Sequence, residues 1–151
     1  MNRDVLFSSA SDEWETPQDL FDRLDAEFNF QIDLAASATN AKCALYYCEK
    51  NDAPKQDWIH DGQRGWCNPP YSRGLCAKFI AKAAAQRLKG FLTVMLLPAR
   101  TDTKAFHEHI YDASTWKGRT GIEIRLLPGR LKFSGAKAGA PFPSMLIVFK
   151  P

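Results

Sequence analysis

A strand, a helix and a second strand are predicted in the stretch RGWCNPPYSRGLCAKFIAKAAAQRLKGFLTVMLLP, residues 64–98. The first strand runs into a turn stiffened by two prolines. The helix that follows places its apolar side chains on one side and stops at a glycine. The second strand, residues 91–98, is almost wholly apolar, which predicts burial on both faces of a sheet. This order is typical of parallel strands joined by a helix.

The same alternation continues on both sides of this stretch. A helix is predicted from Pro17 with Thr16 as its N-cap, because proline fits the first helical position. The other predicted elements are a strand at 30–37, a helix at 101–113 capped by Thr101 or Asp102, a strand at 121–133 with a turn at Pro128-Gly129, and a final strand at 144–149. The pattern predicts an α/β fold with a mostly parallel sheet, helices on both faces and an antiparallel C-terminal hairpin.

Length and composition predict one compact domain. The chain has 151 residues, of which 45% are apolar and 25% are charged. We expect a flexible N-terminal tail at residues 1–12 and a single domain at 13–151. No apolar run has the length of a membrane span or a signal peptide, so we expect a cytoplasmic protein with no membrane partner. The cysteines lack zinc-ligand spacing and His107 and His109 do not share a helix face, so no metal is expected.

Charge is distributed unevenly along the chain. Residues 1–30 carry eight acids and two bases, whereas residues 100–151 carry nine bases and four acids. A basic C-terminal part suits a polyanionic partner such as a nucleic acid, and an ordinary mixed surface is the alternative interpretation.

One edge of the predicted sheet gathers the residues of greatest chemical interest. Ligands of open α/β sheets bind outside the carboxyl ends of the strands. In this sequence those ends are residues 33–36, 68–71 and 98–100.

The tetrapeptide Asn68-Pro69-Pro70-Tyr71 carries the clearest chemistry at this edge. The prolines restrict the backbone, so the side-chain oxygen of Asn68 and the carbonyl of Pro69 are aimed as two acceptors. Two such acceptors can draw the lone pair of an adenine amino group out of the ring plane and toward a methyl donor. Tyr71 offers a flat ring to a base flipped out of a duplex. The alternative is a tight turn with an incidental asparagine.

The tetrapeptide resembles the catalytic motif of amino-group methyltransferases that act on adenine. Further segments are similar to the phage-type DNA N-6-adenine methyltransferase (Dam) family and follow that family's order through residues 12–149: DEWETPQDLFDRLDAEF, FQIDLAASATNAKC, QDW, WCNPPY, LLPARTDT, GRLKF and FPSMLIVF. The resemblance implies a Rossmann-like class I methyltransferase fold, S-adenosylmethionine as donor and adenine in double-stranded DNA as acceptor. It also implies a protein encoded by a phage or prophage.

Roles for individual residues follow from this resemblance and from the sheet edge. The catalytic residues are expected to be Asn68, Pro69, Pro70 and Tyr71. The residues expected to bind the donor are Trp14, Thr16, Pro17, Asp33, Ala35, Ala36, Asp57 and Asn68, although the loop after the first strand lacks the glycines of the general methyltransferase fingerprint. The residues expected to contact the target base or the DNA are Tyr71, Arg100, Arg130, Lys132, Phe133 and Lys137. Core packing is the alternative for Phe133, and a solvated position is the alternative for each cation.

Other functions stay open from the sequence alone. The same tetrapeptide suits an RNA adenine or a protein glutamine amide, and a nucleic-acid-binding module without catalysis is a further alternative. The basic C-terminal part favours a polynucleotide over a peptide. Since 151 residues leave no room for a separate recognition domain, loops at 112–121 and 134–143 are expected to read the target sequence. The oligomeric state is open.

Overall fold

The computed structural model describes residues 14–72 and 74–151. The tail predicted at residues 1–12 lies outside the described residues. The described chain forms, in order, α1 (Gln18–Phe28), β1 (Ile32–Asp33), β2 (Leu45–Tyr46), β3 (Arg64–Cys67), α2 (Leu75–Arg87), β4 (Leu92–Pro98), α3 (Lys104–His109), β5 (Tyr111–Asp112), β6 (Lys117–Gly118), β7 (Ile122–Leu126) and β8 (Ser144–Phe149). Three short 3₁₀ turns, Glu49–Asn51, Ala53–Lys55 and Trp58–Asp61, connect β2 to β3.

Six of these strands form one sheet in the order β2-β1-β3-β4-β8-β7. Strands β2, β1, β3 and β4 are parallel to one another. Strand β8 lies between β4 and β7 and is antiparallel to both. The predicted mostly parallel sheet with an antiparallel C-terminal hairpin is confirmed.

The central strands bury side chains on both faces of the sheet. In β4, Met95 and Leu97 belong to the same core cluster as the buried residues of α2 and α3. Val94 and Leu96 belong to the cluster that contains the buried residues of α1. Strand β8 alternates in the same way, and all six of its residues are buried. The predicted placement of helices on both faces is therefore confirmed, because successive strand residues point to opposite faces.

Helix α1 begins one residue later than predicted. Pro17 is its N-cap and Gln18 its first residue, so the prediction of Thr16 as N-cap is wrong. The Thr16 hydroxyl instead accepts a hydrogen bond from the side chain of Asn68 at 3.0 Å. The Thr16 side chain therefore makes a tertiary contact instead of capping the helix, as the local sequence had predicted.

Helix α3 is shorter than predicted and has a different cap. Thr103 is the N-cap, and its hydroxyl accepts from the backbone N–H of Phe106 at 3.3 Å. The prediction of Thr101 or Asp102 as the cap is therefore wrong. After α3 the chain forms the small β5–β6 hairpin, which the sequence pattern did not predict.

Two strands are also shorter than predicted. The strand expected at 30–37 is reduced to β1, because the side chain of Asp33 takes up backbone N–H groups in the residues that follow. The strand expected at 121–133 with a turn at Pro128-Gly129 ends as β7 at Leu126, and the chain bends at the predicted turn as it leaves the sheet. The residues between β7 and β8 form a long loop, 127–143, termed the edge loop.

The cap of α3 is open to a stability test. We expect Thr103→Ala to lower the free energy of unfolding by about 1 kcal/mol, because the Phe106 N–H loses its side-chain acceptor. Thr103→Ser keeps the hydroxyl, so its free energy of unfolding is expected to be close to that of the parent chain. Urea denaturation measures both, and equal losses for alanine and serine would contradict this assignment of the cap.

Candidate active site

Three parallel strands end at one edge of the sheet, the carboxyl edge. Strand β1 leads into residues 34–37, β3 leads into the proline turn (residues 68–71), and β4 leads into Ala99 and Arg100. Because β1 has β2 on one side and β3 on the other, the strand order reverses between β1 and β3. Such a reversal opens a crevice at the carboxyl ends of the strands, where ligands bind in sheets of this kind.

Three hydrogen bonds hold the side chain of Asn68 at this edge. Its Nδ2 donates to the backbone carbonyl of Trp14 and, at 3.0 Å, to the hydroxyl of Thr16. Its Oδ1 accepts from the hydroxyl of Tyr71 at 2.6 Å. A backbone carbonyl only accepts, so the Trp14 contact determines which end of the amide faces residue 14. The amide oxygen keeps a second acceptor position.

Tyr71 fastens the proline turn to β4. Its side chain is only 3% exposed, and its hydroxyl lies 3.2 Å from the carbonyl oxygen of Leu96 as well as donating to Asn68. Burial raises the pKa of Tyr71 well above its usual value, so the hydroxyl keeps its proton and remains a donor. The backbone carbonyl of Tyr71 accepts from Arg100 Nη1 at 3.1 Å.

The N-terminal segment (residues 14–17) lies between the proline turn and the edge loop. Buried Thr16 contacts Asn68 through its hydroxyl, and its carbonyl accepts from the Ser134 hydroxyl at 3.2 Å. The Ser134 N–H donates to the carbonyl of Glu15 at 2.9 Å. Pro17 begins α1 directly after these contacts. The segment thus links the proline turn to the loop that joins β7 to β8.

Four aromatic rings, Trp14, Tyr71, Phe133 and Phe142, meet beside the proline turn and form the aromatic cluster. The ring centroids of Trp14 lie 5.3 Å from Phe133 and 5.2 Å from Phe142. Those of Tyr71 lie 5.8 Å from Phe142 and 6.4 Å from Phe133. Phe133 is 2% exposed, so it packs inside the protein and also forms a wall of the cluster. The ring of Tyr71 is covered rather than open to a base.

Phe142 did not emerge from the sequence as a site residue. It is half-buried and lies in the edge loop between Pro141 and Pro143. The signal that would have identified it is an aromatic residue flanked by prolines in a glycine-rich loop, since such a ring has few local partners.

Asp33 organises the loop that follows β1. Its Oδ1 accepts from the N–H of Ala35 at 3.2 Å, and its Oδ2 accepts from the N–H of Lys42 at 3.0 Å. The N–H of Ala36 donates to the carbonyl of Tyr47 at 2.9 Å. Both carboxylate oxygens therefore shape the loop, and the two half-buried alanines follow β1 at the point of strand reversal. Burial raises the pKa of Asp33 above its usual value.

Asp57 is not brought together with these residues. Its carboxylate is 3.0 Å from Nζ of Lys89, which lies in the turn before β4, at the opposite edge of the sheet. A hydrogen bond from Lys89 lowers the pKa of Asp57. The neighbouring Trp58 is fully buried and donates its Nε1–H to the carbonyl of Ala53 at 2.8 Å.

The cations predicted to meet DNA lie at the carboxyl edge. The edge loop leaves the sheet at Leu126, which pairs with Met145, and Met145 in turn pairs with Leu97 near the end of β4. The exposed cations of this edge are Arg100, Arg130, Lys132 and Lys137. Close packing of Gly139 against Arg130 and a 2.9 Å bond from the Ala140 N–H to the Leu131 carbonyl draw the two arms of the loop together.

Among residues 14–72 and 74–151, no group of three or more histidine, cysteine, aspartate or glutamate side chains is placed to hold a metal ion. No helix within those ranges has the length and apolar character needed to cross a membrane.

The raised pKa of Asp33 predicts a particular dependence of stability on pH. Between the unfolded value near 3.8 and the higher folded value, the folded chain binds more protons, so stability falls as pH rises through this window. We expect the free energy of unfolding of the parent chain, relative to that of Asp33→Asn, to decrease as the pH rises through this window. Urea denaturation of both chains from pH 3.5 upward measures the difference; a flat or rising difference would refute the assignment.

The contact between Thr16 and Asn68 is tested by an isosteric exchange. Thr16→Val leaves one hydrogen of the Asn68 amide without its partner and is expected to reduce stability by about 1–2 kcal/mol. Thr16→Ser retains an acceptor and serves as the matched control. Thermal or urea unfolding reports both, and a valine variant as stable as the serine variant would show that the contact contributes nothing.

Comparison with known proteins places the chain in a family. Residues 5–151 match the family model described as DNA N-6-adenine-methyltransferase (Dam). The chain is 34% identical over 98 residues to the DNA N-6-adenine-methyltransferase of Escherichia phage T1, which covers 64% of this chain and 40% of that protein. It is 35% identical over 65 residues to YfdM of Escherichia coli (strain K12), which bears a methyltransferase name; this match covers 40% of the chain and 71% of YfdM.

The match to the phage T1 protein spans less than half of that relative's length. The family model, in contrast, extends over nearly all of the sequence and includes the proline turn, the N-terminal segment and the edge loop. The chain therefore belongs to the DNA N-6-adenine-methyltransferase (Dam) family.

Proposed function

We propose that this chain transfers a methyl group from S-adenosylmethionine to the exocyclic amino group of an adenine flipped out of double-stranded DNA. The observation that carries the proposal is the amide of Asn68, which three hydrogen bonds fix at the carboxyl edge beside the point of strand reversal. Membership of the Dam family and the name of the phage T1 relative support the same reaction.

The sheet supports a Rossmann-like class I methyltransferase fold. The sheet has four parallel strands, and the strand order reverses between β1 and β3. Strand β8 lies between β4 and β7 and is antiparallel to both. A crevice at such a reversal accepts a nucleoside ligand because backbone groups at the strand ends are free to meet it.

The residues around the reversal fit S-adenosylmethionine. The side chains of Ala35 and Ala36 are single methyl groups, so they occupy little more space than the glycines of the general fingerprint. S-adenosylmethionine also has no pyrophosphate, which is the group that needs a glycine-rich loop. Asp33 holds this loop in shape through both of its oxygens. When bound, the donor supplies a methyl group on a positively charged sulfur. Thr16 and Asn68 border the site from the side of the N-terminal segment.

Asn68 and Pro69 prepare the amine for transfer. The free acceptor position of Asn68 Oδ1 takes one amino hydrogen. The Pro69 carbonyl, which accepts no hydrogen bond from residues 14–72 or 74–151, takes the other. These bonds turn the nitrogen lone pair out of the adenine plane and stabilise the positive charge that develops on nitrogen. Pro70 keeps the backbone fixed during the step.

Binding of the polynucleotide rests on charge and on the aromatic cluster. Arg100, Arg130, Lys132 and Lys137 contact phosphates, because all four are exposed at the edge where Asn68 lies. Tyr71 and Phe133 support the flipped base once the rings that cover them are displaced, and stacking then offsets part of the lost pairing. Trp14, Pro17 and Asp57 keep their predicted donor-binding roles as proposals, with Asp57 the least favoured by position. We place the reaction in the cytoplasm of a phage-carrying host.

Transfer of tritium from labelled donor to unmethylated DNA, RNA and protein, assayed in parallel, tests the acceptor. We expect label on duplex DNA, since the exposed cations of the carboxyl edge suit a polynucleotide. Label on RNA alone, or on protein glutamine, would replace the proposed substrate. Donor binding by calorimetry separates an inactive DNA-binding module, which need not bind the donor, from an enzyme given the wrong acceptor.

The role of Asn68 has its own prediction. We expect Asn68→Ala to lower the transfer rate by about 100-fold or more, because one of two preorganised acceptors is lost. Asn51→Ala removes an exposed asparagine that accepts from the N–H of Cys48, and it should leave the rate unchanged. Undiminished transfer by Asn68→Ala would exclude the proposed mechanism.

A further inference from the structure

Phe142 contacts each of the other rings of the aromatic cluster. Its ring is nearly perpendicular to Trp14 and Tyr71, at interplanar angles of 83° and 82°, and its centroid lies 6.1 Å from that of Phe133. Phe133 also contacts the three other rings, but it is almost fully buried, whereas Phe142 is half-buried.

The other members of the cluster are held more firmly than Phe142. Tyr71 and Phe133 are 3% and 2% exposed, and the Tyr71 hydroxyl has its hydrogen bond to Asn68. The carbonyl of Trp14 is bound to the same asparagine. Phe142 is half-buried and its side chain has no polar group. Displacement of Phe142 from the cluster therefore costs less free energy than displacement of Tyr71 or Phe133.

The backbone around Phe142 is anchored on both sides but not at the residue itself. The Ala140 N–H donates to Leu131, and the Pro143 carbonyl accepts from the Ala99 N–H at 2.8 Å. Between these anchors stand Pro141, which has no N–H, and Phe142. No backbone hydrogen bond of Phe142 to another described residue is present. Movement of the Phe142 ring therefore breaks no backbone hydrogen bond of that residue.

A base bound by this chain needs the surface that Phe142 covers. The proposed base support, Tyr71, is covered in part by the edge-on ring of Phe142. A flipped adenine and Phe142 therefore compete for one position. We propose that Phe142 is a stand-in for the target base: it occupies the base site between Trp14, Tyr71 and Phe133 in the absence of DNA and is displaced when adenine enters.

This inference rests on the proposed function and adds a selection step to it. The three walls lose aromatic contacts when Phe142 leaves, and only a flat heterocycle replaces them. A flipped base that stacks well is admitted, whereas an aliphatic amide such as a glutamine side chain is not. Phe142 thereby raises the apparent Michaelis constant for DNA and favours a heterocyclic amine at Asn68.

Phe142→Ala tests the competition directly. We expect the Michaelis constant for DNA to fall by about threefold to tenfold with the maximal rate within about twofold of the parent, as expected for loss of aromatic pair contacts. The matched control is Phe28→Ala, which removes a half-buried ring packed on the same core cluster without contact to the aromatic cluster. An unchanged or raised Michaelis constant for Phe142→Ala would overturn the proposal, because Phe142 would then be a fixed part of the base site and not a group that competes with the base.

Two further measurements keep the test decisive. If the alanine variant unfolds, Phe142→Leu keeps apolar volume without a ring and is expected to lower the Michaelis constant in the same direction. Saturation-transfer NMR of adenosine, with S-adenosylhomocysteine filling the donor site, reports base binding without catalysis. We expect at least threefold tighter adenosine binding to Phe142→Ala; equal or weaker binding contradicts the proposal. A parent chain that methylates no DNA would refute the proposed function, while the adenosine measurement would still test Phe142.

Discussion

The amide of Asn68 is the point at which separate parts of this chain meet. Its nitrogen binds the N-terminal segment, and its oxygen binds Tyr71, whose hydroxyl also approaches β4. Because an amide has a donor end and an acceptor end, this arrangement orients the side chain as well as holding it. The acceptor that faces the carboxyl edge is therefore set by residues 14 and 16, which are more than fifty positions away in the sequence.

The sheet gives this contact its place. Strands β1, β3 and β4 are parallel, so their ends lie together, and the strand order reverses beside β1, next to the strand that leads into Asn68. Sheets of this kind bind ligands at such a reversal. Strand β8 is buried along its whole length and fixes the second arm of the edge loop, whose cations and aromatic rings lie at the same edge. Packing on both faces of the sheet keeps these ends in register, which a site with several contributors requires.

The aromatic cluster serves two needs that oppose each other. Buried rings stabilise the folded chain through area and edge-to-face contact. A base that has left its duplex needs the same rings to be reachable. The structure meets the first need, with Tyr71 and Phe133 almost fully covered. In the proposed function, displacement of the less anchored Phe142 would meet the second need without disturbing the hydrogen bonds of Asn68.

The sequence by itself determined the three helices, the main strands, the parallel core of the sheet and the proline turn after β3. Apolar periodicity and proline geometry act over a few neighbouring residues, so a linear pattern contains them. Only the tertiary structure decided that Thr16 binds Asn68 rather than capping α1, that Asp57 pairs with Lys89 at the far edge, and that Phe142 completes the aromatic cluster. Each of these depends on contacts between residues distant in sequence. A polar or aromatic side chain takes the partner that folding brings closest, and no local pattern specifies that partner.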